Sequence, residues 1–99
     1  MTIQSILNQL EDSRNPVAKS FHTQGQFKVL IFGFKKGMKL QDHKSHHPTK
    51  LLVISGDIMY HQNQKETRLK QYDEIDIPAE ITHSVGAIDD SLVLLTQGE

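Results

Sequence analysis

The stretch GMKLQDHKSHHPTKLLVISG, residues 37–56, decides the fold of this chain of 99 residues. A glycine opens it, a polar segment with three of the six histidines follows, and an aliphatic run then ends at Gly56. A second piece, PAEITH at residues 78–83, brings a further histidine into the C-terminal half. These two pieces predict the fold, and they hold the residues that would carry any chemistry.

Short extended runs surround the two pieces, and turn residues end each run. The predicted strands cover residues 17–22, 27–34, 40–46, 51–54, 57–62, 66–71, 74–77, 83–88 and 91–96. Nine short strands at close, regular spacing favour an all-β barrel or sandwich. No helical pattern separates the strands, so parallel β/α units are excluded.

The first residues have the period of a helix. Four apolar residues recur at i, i+3, i+4 and i+7: Ile3, Ile6, Leu7 and Leu10. We predict an N-terminal helical segment over residues 1–14, with Thr2 as N-cap and Asn15-Pro16 as the stop. So short a helix is not stable alone, so its apolar stripe must cover either the mouth of its own domain or a neighbouring subunit.

Composition and charge exclude several classes of protein. A chain of this length is expected to form one domain, residues 1–99, with the barrel over residues 17–97. A net charge of −1 and a pI near 6.6 predict neither a nucleic-acid nor a membrane partner. The lack of cysteine excludes disulfides, thiolate catalysis and cysteine-based zinc sites. We see no signal peptide and no apolar run long enough to span a membrane, so the expected location is the cytoplasm.

Several residues together resemble the two-part motif of the cupin superfamily. Gly37, His43 and Gly56 match the first part, and Pro78 and His83 match the second. The likeness spans about residues 27–97, and the short spacing between the parts is similar to that of small single-domain cupins (the conserved-barrel type). The resemblance implies a double-stranded β-helix, or jelly-roll barrel, preceded here by the short N-terminal α-helix.

The match to the motif is partial. Ser45 stands where the family has a second histidine, and Thr49 stands where it has a glutamate. In the second part, three further residues replace two glycines and an asparagine: Tyr72, Glu80 and Ala87. The structural landmarks of the motif are therefore mostly kept, while its metal-binding part is degenerate.

The resemblance implies a metal site of which only His43 and His83 carry over. Catalytic zinc and iron sites commonly use three or more protein ligands, and the hydroxyls of Ser45 and Thr49 are poor substitutes. If the strand stays extended after His43, the period of two turns His47 inward as well. These three histidines would then hold one divalent transition metal: zinc, iron, manganese or nickel. Pro48 bends the chain next to His47, so whether the side chain of His47 points inward stays open.

Three functions remain open from the sequence. The first is a barrel that binds a small molecule in its cavity, with His43 and His83 as polar anchors and with Ser45 and Thr49 beside them. The second is a metal-dependent enzyme of the dioxygenase or isomerase type, which leaves open whether the chain is an enzyme at all. The third is a structural or partner-binding homodimer whose interface includes the helix stripe and residues 92–95.

The cavity of the first hypothesis would have aliphatic walls, contributed by Phe32, by Leu52 or its neighbours, and by Ile77. If His43 and His83 share this space, both imidazoles cannot easily carry charge. At least one of the two should then have a pKa below the free value of about 6.5.

Overall fold

Nine β-strands follow one short helix in the computed structural model, which describes residues 1–98. The helix α1 spans Thr2–Leu10. The strands are β1 Val17–Gln24, β2 Phe27–Phe34, β3 Lys39–His43, β4 Thr49–Ser55, β5 Asp57–Gln62, β6 Lys65–Lys70, β7 Glu74–Ile77, β8 His83–Ala87 and β9 Ser91–Gln97. Each predicted strand is present, with ends that differ from the prediction by three residues or fewer.

The strands form two antiparallel sheets. The five-stranded sheet has the order β1-β2-β9-β4-β7, and the four-stranded sheet has the order β3-β8-β5-β6. The chain passes between the sheets, so that β8 lies between β3 and β5 while β9 lies between β2 and β4. This order is that of a jelly roll, and the predicted all-β class is confirmed. No helix within residues 1–98 has the length and apolarity needed to cross a membrane.

The core lies between the two sheets and takes alternate residues from each strand. Eleven buried side chains form it: Phe34, Leu51, Val53, Ile58, Tyr60, Leu69, Ile77, Val85, Ala87, Val93 and Leu95. Burial of this apolar surface is the main force that holds the sheets together. Of the predicted wall residues, Ile77 is buried and Phe32 packs against the core. At Leu52 it is the two neighbours, Leu51 and Val53, that are buried in the core.

The helix α1 covers the outer face of β2. Ile6 and Leu10 are buried against Ile31, which explains why β2 is apolar on both faces. Gly33 is needed there, because a Cβ at this position would collide with Ile6 and would lie 2.9 Å from Leu10. The stripe therefore covers its own barrel wall rather than the barrel mouth, and the homodimer stays a prediction.

Both ends of α1 differ from the prediction. Met1 is the N-cap, with no side-chain hydrogen bond, and Thr2 is already helical. The helix ends at Leu10 and not near residue 14. The backbone N–H groups of Glu11 and Asp12 donate to carbonyls only three residues earlier, at 3.3 Å, which tightens the chain out of the α-helix.

Two of the three residues that depart from the second part of the motif have a backbone conformation typical of glycine. Tyr72 has φ of 73° and Glu80 has φ of 65°. Such a conformation costs a side-chain-bearing residue about 1–2 kcal/mol. Backbone hydrogen bonds hold both turns, since the N–H of Tyr72 donates to Val53 at 2.7 Å and the N–H of Glu80 donates to Ser45 at 2.8 Å. The turns of the motif are thus present although its glycines are not.

Candidate functional site

His43 and His83 meet at one end of the barrel. They are direct cross-strand partners on β3 and β8. Their ring centroids lie 4.1 Å apart and their planes are inclined by 61°. His83 is 5% exposed, whereas His43 is half-buried. The two rings are neighbours within one sheet, because the strand order places β3 beside β8.

Both imidazoles are held in the same way. His43 Nδ1 lies 2.9 Å from the carbonyl oxygen of Gln41, and His83 Nδ1 lies 3.0 Å from that of Ile81. A carbonyl oxygen can only accept, so each Nδ1 carries the proton. In the neutral ring Nε2 is then an unprotonated acceptor. The backbone two residues earlier thus fixes both the tautomer and the orientation of each ring.

Tyr60 and Gln62 complete the polar cluster from β5. The rings of Tyr60 and His83 have centroids 5.7 Å apart, and the Tyr60 hydroxyl donates to Gln62 Oε1 at 2.7 Å. Burial raises the pKa of Tyr60, so it stays a phenol at neutral pH. Gln62 is also the register partner of His83. Gln62 belongs to no motif in the sequence, although its alternation with Ile58 and Tyr60 places it on the inner face.

Burial lowers the pKa of His83 below its usual value of 6.5. The charge of His43 acts in the same direction, and the hydrogen bond to Ile81 partly opposes both. The expectation that one imidazole of the pair has a lowered pKa is therefore confirmed for His83. At neutral pH this ring is an uncharged hydrogen-bond acceptor.

We expect the free energy of unfolding to fall when the pH is lowered through the unfolded-state pKa of His83. The unfolded chain takes up a proton near pH 6.5, whereas folded His83 takes it up only at lower pH, so stability is lost in that window. Urea denaturation between about pH 5 and 8 measures this slope. His83→Gln should remove the part of the slope due to this ring, and His22→Gln, on an exposed strand residue, should not. An NMR titration of His83 at or above its free value would contradict the prediction.

Ser45 and Thr49 use their hydroxyls within the loop between β3 and β4. The N–H of His47 donates to Ser45 Oγ at 3.2 Å, and Thr49 Oγ1 donates to the carbonyl of His47 at 3.3 Å. Ser45 is half-buried and Thr49 is 5% exposed. Because β3 ends at His43, the extended parity that would turn residue 47 the same way does not continue through the loop. His47 is half-buried and lines a separate cavity with Lys28 and Gln97.

Glu80 joins the two loops beside the site. His46 Nδ1 lies 2.8 Å from Glu80 Oε1, and Lys44 Nζ lies 3.8 Å from Oε2. The hydrogen bond with His46 lowers the pKa of Glu80, and Lys44 acts in the same direction. The carboxylate of Glu80 is thus engaged by His46 and Lys44.

The side chains present do not fit a three-ligand metal site. Within the described part of the chain, residues 1–98, no group of three or more histidines or carboxylates is placed to hold a metal ion. His43 and His83 offer two nitrogen donors, and His47 does not join them. A catalytic zinc or iron site commonly has at least three protein ligands. We therefore derive no reaction step through a metal.

Two cavities border the cluster. One, of about 190 Å³, lies where β5 and β6 meet β7, and its lining includes Tyr60, Gln62, Lys65, Thr67 and Ile75. The other, of about 290 Å³, lies at the rim, and its lining includes Asp42, His61, Gln62 and His83. Gln62 borders both cavities. Their sizes suit a molecule of a few heavy atoms rather than a large cofactor.

The chain matches no family model and no curated protein. It is similar in structure to a cupin superfamily protein from Desulfitobacterium hafniense DCB-2, with 16% identity, a TM-score of 0.80, and coverage of 93% of this chain and 86% of that one. It is also similar to an RmlC-like cupin from Desulfovibrio desulfuricans, with 23% identity, a TM-score of 0.81, and coverage of 88% and 85%.

A third solved structure is the salicylate 1,2-dioxygenase of Pseudaminobacter salicylatoxidans, with 15% identity and a TM-score of 0.88. The likeness covers 97% of this chain but only 32% of that one. At such identities the comparison shows a shared fold and leaves the chemistry of each site to its own residues.

Proposed function

We propose that this chain, whose barrel has the cupin fold, binds a small molecule at the barrel end where His43 and His83 meet. One observation carries the proposal. Both imidazoles are oriented by backbone carbonyls through Nδ1, and their ring centroids lie 4.1 Å apart, so the adjacent rings keep their two Nε2 atoms as hydrogen-bond acceptors. Groups held in place before binding cost less conformational entropy when a ligand arrives.

A purely structural histidine pair would be expected to use its remaining nitrogens. No buried side-chain nitrogen or oxygen in residues 1–98 lacks a hydrogen-bond partner. The hydrogen bonds of His43 and His83 run through Nδ1, so each Nε2 must reach accessible space. An apolar cavity with a few oriented polar groups is the usual form of a small-molecule site. The geometry therefore favours a ligand that donates a hydrogen bond to these nitrogens.

Ligand-detected and protein-detected NMR would test the proposal with three probes: glycerol, butyrate and 3-hydroxybutyramide. We expect at least one probe to cause saturable shifts at the His83 and Tyr60 ring protons. His43→Gln should weaken that binding, whereas His22→Gln, at an exposed position on the edge strand β1, should not. If neither these three probes nor 3-hydroxybutyrate shifts these rings, or if His43→Gln binds as well as the unmodified protein, the proposal is wrong.

A metal-dependent enzyme is the second candidate, and the same adjacent Nε2 atoms favour it. It ranks below simple binding because the described side chains supply two donors and no third. Elemental analysis of protein produced without added metal would separate the candidates. Stoichiometric zinc, iron, manganese or nickel that is lost in His43→Ala would support the enzyme, and substoichiometric metal would favour the binding barrel.

A further inference from the structure

Two rows of residues border the same end of the barrel, and the sheet registers define them by strand alternation; their two lysines, Lys28 and Lys65, are exposed at the rim. In the five-stranded sheet the successive partners are Lys28, Gln97, Thr49 and Ile77. In the four-stranded sheet they are His43, His83, Gln62 and Lys65. Each row has one lysine, and neither row has a carboxylate. This composition has a direct bearing on what the site can bind.

Lys65 lies on the inner side of β6 because it alternates with Thr67 and with buried Leu69. It lines the 190 Å³ cavity together with Tyr60 and Ile75. None of the ion pairs in the described chain involves its ammonium group, nor that of Lys28. An ammonium group at the edge of a partly apolar cavity is a natural partner for an anion.

The carboxylates near this end do not compete for Lys65. Asp76, at the edge of the same cavity, lies 3.9 Å from Lys50, and Glu80 is bound by His46. Asp42 lines the other cavity, on the side of His61. The inner row therefore keeps its positive charge available to a ligand.

Along the four-stranded row the hydrogen-bonding character changes from acceptor to donor. The Nε2 atoms of His43 and His83 accept. Gln62 receives the Tyr60 hydroxyl on Oε1, which leaves its NH₂ group to donate, and Lys65 donates with a full charge. Neighbouring strands lie about 4.8 Å apart, so the backbones of His83 and Lys65 are about 10 Å apart. Gln62 lies between these two side chains and borders both cavities, so a molecule that contacts both must extend past Gln62 from the cavity of Lys65 to that of His83.

We propose that the ligand is a small hydroxycarboxylate, with Lys65 as the residue that selects it. Its carboxylate accepts from Lys65 and Gln62, and its hydroxyl donates to the imidazole pair. Its carbon body lies against Tyr60 and Ile75. A simple carboxylate would leave the imidazole acceptors unpaired, and a neutral polyol would leave the ammonium unpaired. This inference rests on the proposed binding function and adds the chemical class of the ligand.

The test compares three molecules of nearly equal size by NMR at neutral pH: 3-hydroxybutyrate, 3-hydroxybutyramide, which lacks the charge, and butyrate, which lacks the hydroxyl. We expect the hydroxycarboxylate to bind at least about tenfold more tightly than either, the equivalent of one charge-assisted hydrogen bond. Lys65→Gln should reduce that affinity by about tenfold and leave the affinity for the amide unchanged.

Lys39→Gln is the matched control, because Lys39 is an exposed lysine at the opposite end of β3. It should bind all three molecules as the unmodified protein does.

Equal affinity for the hydroxycarboxylate and its amide at His83 would overturn the ligand class and leave the binding function in place. Equal effects of Lys65→Gln and Lys39→Gln on the affinity for the hydroxycarboxylate would likewise overturn the ligand class and leave the binding function in place. If none of the three shifts His83 while glycerol does, the class is wrong, and if nothing shifts His83, both proposals fail.

Discussion

Gly56→Ala is expected to lower the free energy of unfolding by about 3 kcal/mol or more. Gly56 has φ of 100°, a conformation that residues with a Cβ rarely adopt. A Cβ there would also collide with Ser91 Oγ and with the carbonyl of Asp90, and it would lie 2.6 Å from Ser91 Cα. Two of these three atoms belong to the backbone, so a change of side-chain rotamer cannot relieve the overlap.

The collision would also break a set of hydrogen bonds. Ser91 is 4% exposed, and its hydroxyl oxygen accepts from the N–H of Asp57 at 2.9 Å. The same hydroxyl lies 2.8 Å from the carbonyl of Asp89. Displacement of Ser91 would break the hydrogen bond to the half-buried N–H of Asp57, at a further cost of about 1 kcal/mol. Chemical denaturation with circular dichroism measures the loss.

Gly37→Ala is the matched control for this experiment. Gly37 has φ of 86°, but a Cβ there would meet no atom within 4 Å. Its substitution should cost only the conformational strain, about 1–2 kcal/mol. The difference between the two variants measures the steric part. Equal losses would show that strain alone explains Gly56, and the packing argument would then be wrong.

Ile6→Ala is expected to cost about 3 kcal/mol. Ile6 is 0% exposed and packs with Leu10 and Ile31 on the outer wall of β2. Alanine favours a helix, which offsets only a few tenths of a kcal/mol. The loss arises because removal of the buried side chain leaves a cavity over Gly33 that its neighbours Leu10 and Leu92 fill only in part. Thermal and urea unfolding, compared at equal protein concentration, provide the measurement.

Leu7→Ala separates packing from helix formation. Leu7 lies on the same helix but is 48% exposed, so its loss should cost less than about 1 kcal/mol. A small effect of Ile6→Ala together with a large effect of Leu7→Ala would contradict the position of α1 on its own barrel. It would point instead to a surface on which the exposed side of the helix is covered by another molecule.

The strands could be predicted because their apolar residues alternate and their turns carry clear signals. The hairpin tip at Asn63 and Gln64, for example, is observed with φ of 51° and 65°, the left-handed pair that a two-residue loop requires. The sequence of β2 also has apolar residues on both faces of the strand. The sequence could not show which element covers the outer face of β2, because the apolar stripe of α1 requires only that it pack on some apolar surface.

The candidate site was predictable in part. The convergence of His43 and His83 followed from motif spacing. The position of His47 could not be predicted from the spacing of the motif. It depends on where β3 ends, and the loop after β3 has no alternating pattern that would predict the orientation of its side chains. Lys65 was overlooked since a lysine next to a turn usually faces solvent. Only the register of β5, β6 and β8 shows that it shares an inner row with the imidazoles.

Tyr72 and Glu80 hold left-handed turns without glycine, and this has a consequence for how such barrels are detected. Two residues of this kind cost about 2–4 kcal/mol together, set against a typical total stability of about 5–15 kcal/mol. A jelly-roll barrel can therefore close without glycine at these two turns. Backbone torsions identify such turns where the residue type does not.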